Sequence, residues 1–119
     1  APPARTGKGI AEEDISGWSE EQLIKGGEMV YNLKGCMACH KTDGTSEIGP
    51  AFNNIYGSKV NVKEDGNAKE MVVDDDYITM SIREPQKQIV VGFEKTPMAQ
   101  MNLTDNEIKQ VISYIKSIK

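Results

Sequence analysis

Five consecutive residues, Cys36-Met37-Ala38-Cys39-His40, constrain this chain more than any other stretch. The spacing Cys-x-x-Cys-His is the signature of covalent c-type haem attachment. Two thiols about one helical turn apart can add to the two vinyl groups of one haem, and the histidine that follows is placed to ligate the iron. The motif occurs once in the chain. We therefore predict one covalent haem c, attached through Cys36 and Cys39, with His40 as the proximal iron ligand.

Two other readings of the motif are weaker. A thioredoxin-like redox pair needs a βαβ context, which the pattern along this chain does not provide. A structural zinc site needs four protein ligands, or three and an open position. The chain has two cysteines and one histidine, all within this pentapeptide, where they cannot easily surround a tetrahedral metal. Because the haem uses both cysteines, we expect no disulfide.

Composition and charge limit the possible domain organisation, function and location of the chain. The length of 119 residues predicts one domain, and the hydrophobic content of 38% is lean for a core unless a haem adds apolar surface. The net charge of −4 argues against nucleic-acid binding, which needs a basic face. No apolar run approaches the roughly 18 residues of a membrane span, so we expect a soluble piece, either free or tethered in a longer protein. Thioethers to haem form outside the cytoplasm in bacteria, which predicts a periplasmic or extracytoplasmic location.

Capping boxes delimit the first and last helices. Ser19 with Gln22 predicts a helix over residues 20–33, and Thr104 with Glu107 predicts one over 105–118. Adjacent glycines at 26–27 in the first helix indicate that another helix crosses it closely. Residues 74–76, all aspartate, open a further helix, because carboxylates favour the positive helix end. Pro85 ends that helix at or before Glu84.

The stretches between these helices are less regular. Residues 1–18 predict a flexible arm or linker, which leaves 19–119 as the folded domain. Residues 53–57 predict a short helical turn. Short apolar runs on either side of the turn signal at 64–67 predict a small hairpin. Residues 86–102 form a long loop that contains Met98 and Met101.

The second iron ligand is constrained by the absence of another histidine. His40 is the only one in the chain, so bis-histidine ligation within the chain is excluded. The sixth position must be filled by a methionine, by another side chain such as lysine, or left open. Met98 and Met101 are the best placed methionines, because a loop can fold over a haem and present a thioether. Pro97 stiffens the approach to Met98.

Taken in order, these features resemble a class I cytochrome c. The resemblance rests on the capped first helix leading into the haem motif, Gly49-Pro50, Tyr77 on a helix ended by Pro85, the methionine loop and a last helix with Tyr114. It implies an all-α fold, with three main helices and a short helical turn around one haem, to which the hairpin is a small insertion. Residues 48–52, the segment 77–85 and Val91-Gly92-Phe93 look like the cytochrome c domain fused to subunit II of caa3-type oxidases, and small soluble bacterial cytochromes share this look.

The resemblance also implies roles for individual residues. The Pro50 carbonyl would accept a hydrogen bond from the second nitrogen of His40. Met98 would be the distal ligand, with Met101 as the runner-up. Tyr56 would reach a haem propionate, although an ordinary core tyrosine is an equally good interpretation. Gly27 and Tyr31 would meet Val111 and Tyr114 where the first and last helices cross.

The implied function is electron transfer rather than enzymatic catalysis. The partners would be a redox protein as donor and another as acceptor, a cytochrome c oxidase among the candidates. Whether the chain is a soluble carrier of the respiratory chain or an oxidase-fused domain stays open at this point. The alternative function is a haem peroxidase, or a ligand-binding or sensor cytochrome with an open or displaceable sixth site. That alternative needs a polar group on the distal side of the haem, and the chain has no second histidine that could be this group.

Overall fold

A computed structural model describes residues 14–46, 48–95 and 98–119. The described elements, in chain order, are helix α1 (Glu20–Leu33), a 3-10 turn (Cys36–Ala38), strands β1 (Lys59–Glu64) and β2 (Asn67–Val72), helix α2 (Asp75–Arg83), strand β3 (Ile89–Val90) and helix α3 (Asp105–Ser117).

The helix ends follow from local side-chain chemistry. Both capping boxes form: Ser19 Oγ accepts from the Gln22 amide at 3.2 Å while Gln22 Oε1 accepts from the Ser19 amide at 2.8 Å, and Thr104 and Glu107 repeat the arrangement. Asp74 caps α2 by accepting from the Tyr77 amide at 2.8 Å. The predicted bounds of α1 are confirmed, α2 ends before Pro85 as predicted, and α3 ends at Ser117, one residue earlier than predicted.

Helices α1 and α3 cross at the paired glycines. A Cβ placed on Gly27 would lie 2.0 Å from the backbone carbonyl oxygen of Gln110, and one on Gly26 would lie 2.0 Å from the Gln110 side-chain oxygen. Only glycine allows two helix backbones to approach so closely. The rings of Tyr31 and Tyr114 meet beside the crossing, with centroids 5.2 Å apart. The prediction of a close crossing is therefore confirmed.

The predicted hairpin forms, and it belongs to a small sheet. β1 and β2 pair antiparallel through a tight turn in which Asp65 and Gly66 have φ of 51° and 79°. β3 pairs with the other edge of β1, so the sheet order is β2-β1-β3. The expectation of an all-α fold is thus too narrow. Two-residue β3 carries no alternation that a sequence pattern can reveal, because it forms only when β1 lies beside it.

The predicted short helical turn at 53–57 is not a helix. The segment consists of hydrogen-bonded turns, in which the Ile55 amide donates to the Phe52 carbonyl at 3.2 Å and the Ser58 amide donates to the Ile55 carbonyl at 3.0 Å. Asn54 and Gly57 have φ of 55° and 83°. This left-handed conformation at two positions stops a right-handed helix from propagating.

The predicted arm lies mostly outside the described residues. Of residues 14–18, Ile15 is buried, and its carbonyl accepts from the Trp18 amide at 3.0 Å just before α1 begins. The division at residue 18 stays a prediction. Within the described ranges, none of the helices is both long enough and apolar enough to cross a bilayer.

Candidate haem site

The end of α1 delivers the chain into the haem motif. Lys34 caps the helix, and Gly35 turns the backbone with a φ of 82°, a left-handed conformation that favours glycine. The 3-10 turn follows, closed by hydrogen bonds from the Cys39 and His40 amides to the Cys36 carbonyl at 3.2 and 2.9 Å. The turn places Cys36, Cys39 and His40 together, and both cysteines are half-buried free thiols.

The His40 imidazole has one nitrogen occupied. Its Nδ1 lies 2.8 Å from the carbonyl oxygen of Pro50. A carbonyl can only accept a hydrogen bond, so Nδ1 must carry the proton and Nε2 must carry the lone pair. This is the tautomer that a metal ligand needs, with its second nitrogen fixed by a backbone acceptor. The expected Pro50 contact is thus present in the geometry.

Phe52 and Gly49 also confine the imidazole ring. The Phe52 ring stacks on it, with centroids 4.6 Å apart and planes 14° from parallel. A Cβ placed on Gly49 would lie 2.8 Å from His40 Cε1 and 3.0 Å from Nδ1, so a side chain at this position would push the ring away. Burial lowers the pKa of the His40 imidazole, an effect that the hydrogen bond to Pro50 partly opposes. The lowered pKa favours the neutral imidazole, the form that ligation requires.

Tyr31 holds the backbone of the same histidine. Its hydroxyl donates to the His40 carbonyl oxygen at 2.5 Å, and its ring lies against Phe52 with centroids 5.7 Å apart. The sequence pattern predicts Tyr31 only at the helix crossing and does not link Gly49 or Phe52 to His40. For the latter two, the available signal was their position beside Pro50. For Tyr31 the sequence offered no signal, because the contact depends on how α1 folds over the motif.

The two candidate sulfur ligands lie in the loop before α3. Met98 and Met101 are both half-buried and pack against the hydrophobic core. The Met98 carbonyl oxygen accepts a hydrogen bond from Gln86 Nε2 at 3.2 Å, which ties this part of the loop to the segment after α2. The two methionines are similarly buried, so burial does not indicate which sulfur is the better candidate ligand. Pro97, which we expected to stiffen the approach to Met98, lies outside the described residues.

Tyr56 makes a contact that the sequence did not predict. Its hydroxyl donates to the carboxylate of Asp75, the first residue of α2. The Lys116 ammonium lies 4.9 Å from the Tyr56 ring centroid and 3.6 Å from Asp75 Oδ1. Tyr56, Asp75 and Lys116 therefore link the turn after Phe52 to α2 and α3. The role of Tyr56 towards a haem propionate stays a prediction.

The donor set fits a c-type haem. Cys36 and Cys39 supply two thiols within one turn, and burial raises the pKa of the Cys36 thiol, which favours its protonated form. His40 supplies a neutral imidazole with its lone pair on Nε2. Within the described residues, no cluster of three or more His, Cys, Asp or Glu side chains is arranged to hold a bare metal ion. The residues at hand thus suit iron that is carried in a haem.

Comparisons with known proteins agree with this geometry. Residues 24–119 match the family model of cytochrome c. The chain is also 32% identical over 92 residues to cytochrome c-552 of Hydrogenobacter thermophilus, an alignment that covers 77% of this chain and 81% of that protein. The predictions of haem, iron and electron transport are confirmed by these matches. The chain therefore belongs to the cytochrome c family, as a haem-based electron carrier with one covalently bound haem c.

Proposed function

We propose that the chain carries one electron at a time on a six-coordinate haem c. Cys36 and Cys39 would hold the haem, and His40 and Met98 would ligate its iron. The observation that carries the proposal is the 2.8 Å hydrogen bond from His40 Nδ1 to the Pro50 carbonyl, which leaves the lone pair on Nε2 of the residue that directly follows Cys39. The haem supplies the reversible one-electron couple of its iron, and the chain holds it and keeps water away.

Met98 is the proposed distal ligand. Its sulfur is favoured by the position of the loop between α2 and α3, by the resemblance to class I cytochromes c, and by the Gln86 hydrogen bond to its carbonyl oxygen at 3.2 Å. A thioether is a soft ligand and favours ferrous iron, so we expect a raised reduction potential. With both axial positions filled, the metal has no site for a substrate. An electron carrier follows, rather than a peroxidase or a gas sensor.

The proposed partners are redox proteins that dock briefly. Such encounters use small interfaces, at the low end of the range of specific protein–protein contacts. A terminal cytochrome c oxidase is a candidate acceptor, because residues 48–52 and 91–93 resemble the cytochrome c domain of caa3-type oxidases. We further propose a location outside the cytoplasm, either as a soluble carrier or as an oxidase-fused domain. The gene sequence that encodes the residues upstream of Ala1 tests this choice, since an oxidase domain there would identify a fused module.

Ligand challenge of the haem-loaded protein tests the proposed coordination. We expect a low-spin ferric spectrum, no rapid binding of cyanide, and a ferrous spectrum that carbon monoxide does not change. A Met98→Ala variant serves as the positive control, because it should open the sixth position and bind both ligands. High-spin ferric iron that binds cyanide rapidly in the unmodified protein would contradict the proposal and favour the peroxidase or sensor alternative.

A further inference from the structure

Two chain segments enclose the proximal side of the site. One follows His40 and runs over residues 41–46, and the other, 49–53, contains Pro50. The second segment is bonded to the chain on either side of His40: the Gly49 amide donates to the Cys39 carbonyl at 3.1 Å, and the Phe52 amide donates to the Lys41 carbonyl at 2.9 Å. The Ala51 amide donates to Ser46 Oγ at 2.9 Å. Pro50, which has no amide hydrogen, sits in the middle with its carbonyl turned to His40.

The hydrogen bonds between the two segments form a ladder, and the side chain of Asn53 makes the last of them. Its Nδ2 donates to the Thr42 carbonyl oxygen at 2.7 Å, and its Oδ1 accepts from the Gly44 amide at 2.9 Å. One carboxamide therefore satisfies both a backbone acceptor and a backbone donor on the opposite segment. Nδ2 also lies 3.2 Å from the Lys119 carbonyl oxygen, a longer contact.

Hydrogen bonds are the main constraint on the position of residues 42–46, to which the Asn53 side chain is bonded. Residues 42–46 are all exposed, so apolar packing contributes little to their position. Within the segment, the Asp43 carboxylate accepts from the nearby Thr45 amide at 3.0 Å. An exposed loop without buried side chains opens readily unless its backbone is tied to the rest of the fold. Asn53 supplies two of those ties.

We propose that the Asn53 carboxamide is a positioning group for the proximal histidine. By joining the backbone after His40 to the backbone after Pro50, it holds the Pro50 carbonyl oxygen against His40 Nδ1. A firmer bond at Nδ1 gives the imidazole more imidazolate character and makes it a stronger donor to ferric iron. Asn53 therefore influences the reduction potential without touching the haem. The inference rests on the proposed function, because it takes His40 as the iron ligand.

The test compares Asn53→Ala with the haem-loaded unmodified protein. NMR of the ferrous state follows exchange of the His40 Nδ1 proton with solvent, and voltammetry gives the reduction potential. We expect exchange to become about tenfold faster, since opening no longer breaks the two amide hydrogen bonds. The potential should shift upward. Asn53→Asp keeps the acceptor for the Gly44 amide but sets a carboxylate oxygen against the Thr42 carbonyl oxygen, so exchange should be at least as fast as in Asn53→Ala.

Two further variants complete the design. Asn61→Ala removes an exposed asparagine side chain from β1 and should leave both readouts unchanged. Ser46→Ala removes the acceptor of the Ala51 amide from the same ladder and should shift both readouts in the same direction as Asn53→Ala, by less. If Asn53→Ala does not fold, Ser46→Ala decides the question.

The outcomes separate this inference from the proposed function. Variants that unfold more easily but keep the exchange rate and the potential of the unmodified protein would show that Asn53 is only structural, and would overturn the inference. Failure of the proposed function would appear in the unmodified protein itself, as a haem that lacks histidine ligation by NMR.

Discussion

At the scale of residues, four neighbours hold the imidazole ring and the backbone carbonyl of His40. Pro50 fixes Nδ1, Phe52 stacks on the ring, Gly49 leaves the space that the ring fills, and Tyr31 holds the backbone carbonyl. As the proposed iron ligand, a histidine fixed in this way would keep its geometry when the iron changes charge. Such preorganisation would lower the cost of rearrangement in each electron-transfer step.

The Tyr31 hydroxyl can be removed alone. Tyr31→Phe keeps the ring and deletes the hydrogen bond to the partly buried His40 carbonyl. We expect the free energy of unfolding to fall by about 1–2 kcal/mol, because the acceptor is left without this partner. Denaturant unfolding of the haem-loaded protein measures it. Tyr114→Phe is the matched control, since its ring packs on Tyr31 at 5.2 Å, and equal losses in the two variants would contradict the assignment.

Tyr56 offers a test of its two interpretations. The bond to the Asp75 carboxylate raises the pKa of the Tyr56 phenol, so its stabilising effect is present below the ordinary phenol pKa and is lost as the pH rises through the raised value. Because the pair is exposed to solvent, Tyr56→Phe should cost less than about 1 kcal/mol of unfolding free energy, and it should cost almost nothing further in an Asp75→Ala background. The reduction potential should stay constant. A changed potential in Tyr56→Phe alone would instead indicate a contact with a haem propionate.

At the scale of elements, the crossing of α1 and α3 depends on Gly27. A Cβ there would lie 2.0 Å from the Gln110 carbonyl oxygen and 2.6 Å from Tyr114 Cβ. Gly27→Ala should therefore lower the unfolding free energy by about 1–3 kcal/mol, despite the better helix propensity of alanine. Thermal unfolding followed by circular dichroism measures the change. Gly17→Ala is the control, because nothing lies within 4 Å of a Cβ there, and a neutral Gly27→Ala would refute the crossing.

The hairpin supports the loop that carries the methionines. Val62 on β1 is fully buried and lies opposite Val90 of β3, directly before that loop. Val62→Ala should cost about 2 kcal/mol, the value of two buried methyl groups and the space they leave. Val72→Ala, on a side chain that is 46% exposed, should cost much less. Denaturant unfolding compares the pair, and similar losses would mean that the sheet is not packed on the core.

The elements differ in how far the sequence could predict them. The N-terminal ends of α1 and α3 were predictable because a capping box is a local arrangement of four residues. The crossing was predictable because two glycines in a helix cost stability unless something packs against them. β3 and the turns at 53–57 were not, since they depend on β1 as a neighbour and on the left-handed backbone of Asn54 and Gly57. The Asn53 and Tyr31 contacts likewise arise only after distant segments meet.

At the scale of the whole molecule, the proposed axial ligands come from different parts of the fold. His40 follows α1 and is fixed by segment 49–53, whereas Met98 lies in the loop between β3 and α3 and is tied to Gln86. The family match spans both parts, over residues 24–119. An electron carrier of this kind needs both ligands in place at once. The central claim is therefore that histidine and methionine together close the iron to outside ligands.

The far-red charge-transfer band of the ferric, haem-loaded protein tests that claim most directly, because it reports a methionine sulfur bound to ferric iron. We predict that the band is present in the unmodified protein, lost in Met98→Ala and retained in the matched control Met101→Ala. Loss of the band only in Met101→Ala would assign the wrong sulfur to the iron. Absence of the band in the unmodified protein, with high-spin ferric iron, would contradict the account of a six-coordinate electron carrier.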